Sequence, residues 1–590
     1  MGSKDSRFSH TTRWVTSACA AMVSTCAVAD NTVLATNDQA LQHWAQASGA
    51  PAPVVQQSAD GGSQLVWRAG ISYDFYNRNV SGGQLLTPFR SGTFNRLQLQ
   101  SDLRSTQGDV LNWFQFGATA SDDRSVLSTG KVINTLQAGR TGPGFRIALG
   151  DIPVNHSALG TNLGLRGILG QRYFGQTLLS GAAGVVAESW EALNSDERRR
   201  TMLRDVYSLK IEHPISKATS VYVTTQSYSD QRGSLTPGTI AVAGADANSA
   251  TMGFTHREGG FSLTGEGGFS RLSQDGQSQK SDSAVVIDGG WQGTAVGLRA
   301  GHHDLGKFYS SSSAQALGGI RETYGNGTWM AQPWLSFNAD VRTTTNNRPP
   351  PPPQPVVTAA GIIPGTPVST ATPAPAPAIS AGTTTDSGTL SANIAIPQLP
   401  GTSMQLSYGE SAGRNNLFGR SNTKTTGANL QYGDPQWSAG AGVQVNTLTL
   451  VNSPANNSEM TSVTFTLGRR WSDAAAGGAP TWQVGINFAA NQQRQEFEIG
   501  TSSTNRNFTL SLAAQNISLG VLNASWLTGE IGDPVSGVKY SLNTYQIDAG
   551  RAVFKTGSIK FYARITDNFK ENPLLAYKET TVGVQFSYNH

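Results

Sequence analysis

Few residues in this chain have the type and spacing to do chemistry, and their surroundings argue against it. Gly409-Glu410-Ser411-Ala412-Gly413 has the spacing of a nucleophile elbow, which holds a serine on a tight turn between a strand and a helix. An alternating run, Met404 to Tyr408, precedes it. The stretch after it, Arg414 to Thr426, is rich in Asn, Gly and Thr with no apolar period, so no helix is expected there. No HGGG-type oxyanion segment accompanies it. His302-His303-Asp304 is the one histidine cluster. On a strand, adjacent side chains point to opposite faces, so these two imidazoles do not chelate one ion. Gly265-Glu266-Gly267-Gly268 sits in a strand pattern with no helix after it, which excludes a phosphate-cradling loop. Glu197-Arg198-Arg199-Arg200 reads as a charged loop. The expectation is a protein that is not an enzyme, with no catalytic residue, no cofactor and no metal.

Composition points to what positions these residues instead. Of 590 residues only 14% are charged, against roughly 25% in ordinary soluble domains, and hydrophobic residues reach only 38%. No uncharged apolar run approaches the ~20 residues of a helical span. Low charge with modest hydrophobicity suits a β-barrel in a membrane, where alternate strand residues face lipid and water. Glycine is abundant at 66 residues, as turns and crowded strands require. A net charge of +4 gives no sign of nucleic-acid binding.

Lys4, Arg7 and Arg13, then the apolar run Trp14 to Cys26, then Ala27-Val28-Ala29 have the layout of a cleaved secretory signal. The alternative is a lipoprotein acylated at Cys26. Cys19 and Cys26 both lie in this segment, so a chain beginning at Asp30 has no thiol chemistry. The expected organisation is a signal over residues 1–29, a periplasmic segment over 30–62 and a barrel over 63–590. In the second of these, Asn37 to Ala47 has the pattern of a short helix.

From Leu65 onward strand patterns succeed one another, many about ten residues long, the length that crosses a bilayer at a tilt. Trp67, Tyr73, Trp113, Trp334, Trp437, Trp482 and Trp526 recur near strand ends, as interfacial girdles require. Tight connections are expected near Gly108, Pro143, Pro214, Gly259, Gly325-Asn326-Gly327, Asp434 and Arg551. Longer polar ones are expected at 77–92, 230–247, 271–281, 304–315, 411–422, 450–459, 494–505 and 567–578. Short and long connections in alternation describe an up-and-down barrel. The order breaks between Asp151 and Arg200, and a strand at Leu163 to Tyr173 restores it. The count is then about 26. One low-complexity stretch, rich in proline and opening with Pro349 to Pro353, cannot join a β-ladder and is expected as an outward loop over 344–387.

At the C-terminus Val582, Val584, Phe586, Tyr588 and His590 share one face, and Thr581, Gly583, Gln585, Ser587 and Asn589 the other. This resembles the closing strand of Gram-negative outer-membrane β-barrels, with His590 where those usually end in Phe. The resemblance implies that these five residues are an insertion signal, read by the barrel-assembly machinery. Leu149-Gly150-Asp151, then Ser157, then Leu165-Arg166-Gly167 resembles a stretch of the chaperone–usher pilus assembly barrel. The porin-like sleeves of outer-membrane electron conduits are similar in size and plainness.

The expected fold is therefore all-β, a single large transmembrane antiparallel up-and-down β-barrel of about 26 strands in the Gram-negative outer membrane. Its expected function is a channel or conduit, passing solute or polymer or sheathing a partner protein. The alternatives are a surface structural or adhesive protein and an usher-like secretion pore. Arg68, Asp74, Arg96, Arg104, Arg140, Arg146 and Arg204 are candidate lumen-lining residues, with solvation at strand ends as their alternative role. Expected partners are outer-membrane lipids and, in a lumen too wide for side chains to fill, loops, the N-terminal segment or a periplasmic protein. No nucleic acid is expected.

Overall fold

The computed structural model describes residues 64–589, apart from 83–88, 196–198, 200, 235–243, 313–317, 348–381, 416–418, 474–480, 517, 533–536, 554–555 and 573–575. The signal, the segment 30–62, His590 and most of the Pro-rich loop lie outside the described residues.

Twenty-six antiparallel strands form one sheet. In chain order they begin with β1 Gln64–Gly82, β2 Gly92–Gln107, β3 Val110–Ser121, β4 Lys131–Gly142, β5 Phe145–Asn155, β6 Asn162–Phe174, β7 Thr177–Val186 and β8 Arg204–Pro214. Next come β9 Thr219–Asp230, β10 Ala245–Glu258, β11 Phe261–Gln274, β12 Lys280–Gln292, β13 Val296–Leu305, β14 Ile320–Gln332, β15 Leu335–Asn346, β16 Thr383–Ala395 and β17 Thr402–Asn415. The ring is completed by β18 Gly419–Gly433, β19 Trp437–Leu450, β20 Ser458–Ser472, β21 Trp482–Phe497, β22 Ser502–Asn516, β23 Gly520–Gly532, β24 Lys539–Ala552, β25 Gly557–Asn568 and β26 Tyr577–Asn589. Each strand pairs with the next, and β26 pairs with β1 from Gly70↔Asn589 to Gly82↔Tyr577. The sheet is thus closed on itself.

Register fixes the two faces. Val582, Val584, Phe586 and Tyr588 stand opposite Asn77, Phe75, Tyr73 and Ile71, and the same face continues around the ring. It carries the large exposed apolar side chains, from Leu65, 67% exposed, to Val582, 54% exposed. So broad a band of bare apolar surface is the mark of a barrel seated in lipid. Trp67, Trp291, Trp329, Trp437, Trp471 and Trp482 all stand on this outer face close to the end with the tight turns, forming a girdle at that rim. The opposite face begins with Arg68, Ser72, Asp74, Thr581 and Gln585 and encloses the lumen.

Several local expectations are corrected. The strands run 10 to 19 residues, because polar alternation continues past the ten-residue apolar band. Gly325-Asn326-Gly327 lies inside β14, and the turn falls after Gln332. The supposed loop 411–422 is mostly strand: β17 runs through Gly409–Gly413 to Asn415 and β18 starts at Gly419. Trp113 belongs to no girdle. It faces inward, opposite Arg104 and Gly139, over a spot where a Cβ on Gly139 would lie 2.3 Å from its ring.

Candidate functional site

The most built part of the lumen grows out of a short seam. β4 and β5 pair only from Gly142↔Phe145 to Gln137↔Gly150, and β6 and β7 only from Phe174↔Thr177 to Arg166↔Val185. Beyond those points residues 152–155 and 162–165 pair with each other alone, and Asp151 pairs only with Arg166. The hairpin leaves the wall at two glycines. Gly150 has φ +99, and a Cβ there would come within 2.0 Å of Leu136 O; a Cβ on Gly167 would come within 2.0 Å of Ala183 O. Only glycine allows the positive φ at Gly150 and the close approach at both positions.

The hairpin turns inward as a second layer on the wall. Ile152, Val154 and Leu165 pack on Val206 of β8, Tyr228 of β9 and Ala247 of β10, with Ile152 at 1% exposure. These wall residues alternate with exposed Tyr207, Leu209, Val221, Val223 and Met252, which places the cluster inside the barrel. The tip, residues 156–161, then reaches β11 and β12. Leu159, 1% exposed, is buried with Ala284, Val286, Leu305 and Tyr309.

One carboxylate holds the tip. Glu266, 3% exposed, accepts from Ser157 Oγ (2.6 Å), from the Leu159 backbone N–H (3.1 Å) and from the Tyr222 hydroxyl (3.2 Å). Gln226 holds the other side. Its Oε1 accepts from Thr161 Oγ1 (2.8 Å) and from the Ser312 N–H (3.0 Å), and its Nε2 donates to Ser249 Oγ (2.7 Å). The β13–β14 connection folds over the same spot: Tyr309 donates to Leu159 O (3.1 Å) and Ser310 N–H to Ser270 Oγ (2.9 Å). His156, buried beside Ser180 Oγ at 3.1 Å, is pushed down to about 4 by that burial and by the positive charge of Lys210.

The notch left in the wall is stoppered by helix α1, Trp190–Asn194, capped by Ser189. Two unpaired donors on β4 find carboxylates instead of a strand: Ile133 N–H donates to Glu191 (2.7 Å) and Leu136 N–H to Asp151 (2.8 Å). The Trp190 indole also donates to Asp151 (2.8 Å), and Arg166 pairs with Asp151 at 3.3 Å. Capping a bared edge in this way keeps it from recruiting another strand. The segment singled out for its usher-like sequence is thus the inturned hairpin itself, with Asp151 and Arg166 in register and Ser157 at the clasp.

Six of the seven candidate lumen residues stand on the inner face. Arg68 is opposite Asp102, which pairs with Arg104 at 2.9 Å. Asp74 is opposite Arg96 and accepts from the Tyr562 hydroxyl (2.7 Å). Arg146 is opposite Thr141 and Gln171. Arg204 pairs with Asp230 at 2.6 Å and stacks 4.1 Å over Tyr228. Arg140 departs from the expectation: it shares the outer face with Ile147, close to the tight turn that ends β4. Side-chain type alone did not separate it from its inward neighbours; register does. Of the histidine cluster, His303 faces inward against Asp288 (3.1 Å), while His302 faces outward against Thr323 (2.8 Å). Among the described residues no group of three metal-ligating side chains converges.

Residue type also missed Glu266, Gln226 and the buried ion pair of Arg78 with Asp123 at 2.7 Å. Glu266 was visible only as a carboxylate between glycines; parity with Thr264 would have turned it inward.

No family model matches the chain, and no curated protein does. Among solved structures it is similar to the P pilus usher (PapC) translocation pore, at 10% identity and TM-score 0.37, covering 89% of this chain and 99% of that one. It is similar to the copper transporter OprC at 11% identity and TM-score 0.39, covering 89% and 80%. The siderophore receptor PirA from Pseudomonas aeruginosa matches at 9% identity and TM-score 0.38, covering 88% and 80%. Likeness at this level bears no weight about activity. By its own closed ring of pairings and its apolar exterior, the chain has the architecture of a large outer-membrane β-barrel.

Proposed function

We propose that this protein is an outer-membrane channel whose lumen is lined on one side by the inturned hairpin and open along the other. The observation that carries this is the thickness of the inner layer. Twenty-six strands spaced about 4.8 Å apart and tilted near 40° give a circumference of about 160 Å, or a width of about 50 Å if round. A single packed layer takes up only about 10 Å of that. Arg68, Asp74, Arg96, Arg104, Arg146 and Arg204 then act as fixed charges on its water-facing wall. Outer-membrane lipids cover the apolar band, the C-terminal strand is the element offered to the barrel-assembly machinery, and a partner in the lumen is compatible with this width.

Purified full-length protein in a planar lipid bilayer should give discrete ionic conductance steps. Protein that is folded, shown by heat-modifiable migration on a gel, yet never conducts would overturn the channel function. A second function, as a pore for secreted polymer, is favoured by the match of the usher-like segment to the hairpin. It predicts that deleting residues 156–161 raises conductance without loss of folding.

A further inference from the structure

Charge is not spread evenly around the lumen. Inward positions on β12 to β15 include Asp288, Arg299, Glu322, Asp340 and Arg342. Those on β24 to β2 include Asp548, Lys560, Arg68, Asp74 and Arg96. Between these two sectors stand eight strands, β16 to β23. Among their described inward positions only Arg470 is charged. Side chains in a watery lumen keep their solvation, so ionised residues are tolerated there, as the two flanking sectors demonstrate. Their near absence over eight consecutive strands is a property of this wall.

What replaces charge is a register row of amides and hydroxyls. Asn393, Gln405 and Asn429 are successive partners across β16, β17 and β18. The row passes Gly442, then continues through Thr464, Asn491 and Asn507 on β20, β21 and β22. Neighbours in such a row are about 4.8 Å apart, and strand tilt carries the row obliquely along the barrel. Each amide offers both donors and an acceptor, and the threonine hydroxyl offers both as well. Gln405, Thr464 and Asn491 are exposed.

We infer that this wall is a track for uncharged, polyhydroxylated ligands, that is, neutral glycans. A glycan presents hydroxyls that donate and accept, without charge, at a repeat close to the strand spacing. A polyanion or polycation finds no counter-charge in this sector, and in the flanking ones acids and bases stand together, so neither sign is held. The row has no aromatic platform to grip a sugar ring, so contact is weak and the ligand moves on, as conduction requires. This inference rests on the channel function proposed above.

The test uses full-length protein in a planar bilayer, with maltohexaose, a neutral linear glucan, as the probe. Expected are reversible, concentration-dependent interruptions of the ionic current. Dextran sulfate of matched length should interrupt it less. Replacing Gln405, Asn429 and Asn491 together by Ala should weaken the maltohexaose effect about tenfold. Asp288→Asn should leave it unchanged. The wild-type comparison of the two probes needs no variant, so misfolding of the triple substitution leaves it decisive. Steady ionic conductance with no response to maltohexaose, or a stronger response to dextran sulfate, overturns the glycan track and leaves the channel standing. Absence of any conductance overturns the channel and the track with it.

Discussion

Replacing Glu266 by Gln is the sharpest probe of the clasp. Three donors converge on this carboxylate, and two of them, Ser157 Oγ and the Leu159 N–H, belong to the hairpin tip. Hydrogen bonds to a charged acceptor are worth about 1.5–3 kcal/mol each. Glutamine keeps one acceptor oxygen and turns an NH2 toward the other donor. Both bonds lose the charge of their acceptor, and the one to Ser157 survives only with the hydroxyl as acceptor, so the tip should be held less tightly by about 2–3 kcal/mol. At 1.4 kcal/mol per decade, its open population rises roughly 30- to 150-fold. Leu159 in its apolar socket and the bonds to Gln226 still tether it, so the tip loosens without leaving. The assay is amide hydrogen exchange of residues 157–161 in lipid nanodiscs, with Glu322→Gln, an inward acid away from the clasp, as control. Faster exchange confined to the tip is expected. Protection equal to wild type in Glu266→Gln would show that the carboxylate does not hold the hairpin.

Three further outcomes are expected. His156 is neutral in the closed tip, with its pKa lowered to about 4, and titrates near 6.5 once the tip opens. The open state therefore binds the extra proton, so closure keeps full strength above pH 6.5 and weakens as pH falls toward about 4. The loss is about 1.4 kcal/mol per unit; exchange of 156–161, corrected for intrinsic rates, should speed up at pH 5, and His156→Gln should abolish that dependence. Gly150→Ala forces a side chain onto φ +99 and onto Leu136 O, and should cost several kcal/mol, read as a lower unfolding midpoint in urea with lipid vesicles. Val582→Arg on the outer face should destabilise the barrel by about 2–4 kcal/mol in the same assay, while Gln585→Arg on the inner face should change it little.

How much was legible depended on which face carried the signal. β19, Trp437–Leu450, and the closing strand were readable because aromatic and branched residues alternate with small polar ones. The strand needed between Asp151 and Arg200 was found by parity of connections and appears as β6. β17 was cut short at Tyr408 because Gly409–Gly413 reads like a loop, although antiparallel partners on both sides keep it extended. Apolar alternation runs from Trp329 to Val341 straight through the Pro333–Trp334 turn, so pattern alone does not mark that turn. The inturned hairpin was hidden for another reason. Its apolar face, Ile152, Val154 and Leu165, looks like any lipid-facing stripe, and only the missing partners of residues 151–155 reveal that it faces a wall of protein. Arg140 and Trp113 show the same limit: composition tells that a residue is polar or aromatic, while the side it takes is set by register across neighbouring strands.

The brief contact between β4 and β5 also sets where this cylinder is weakest. Six rungs, Gln137–Gly142 against Phe145–Gly150, join what every other junction joins with more, and a short helix covers the remainder. Ladder bonds share load along their length, so the shortest zipper parts first. When the folded protein is heated, pulled or attacked by protease, the first break should open beside Trp190, and the ring should come apart from that point as a curved sheet with two new borders.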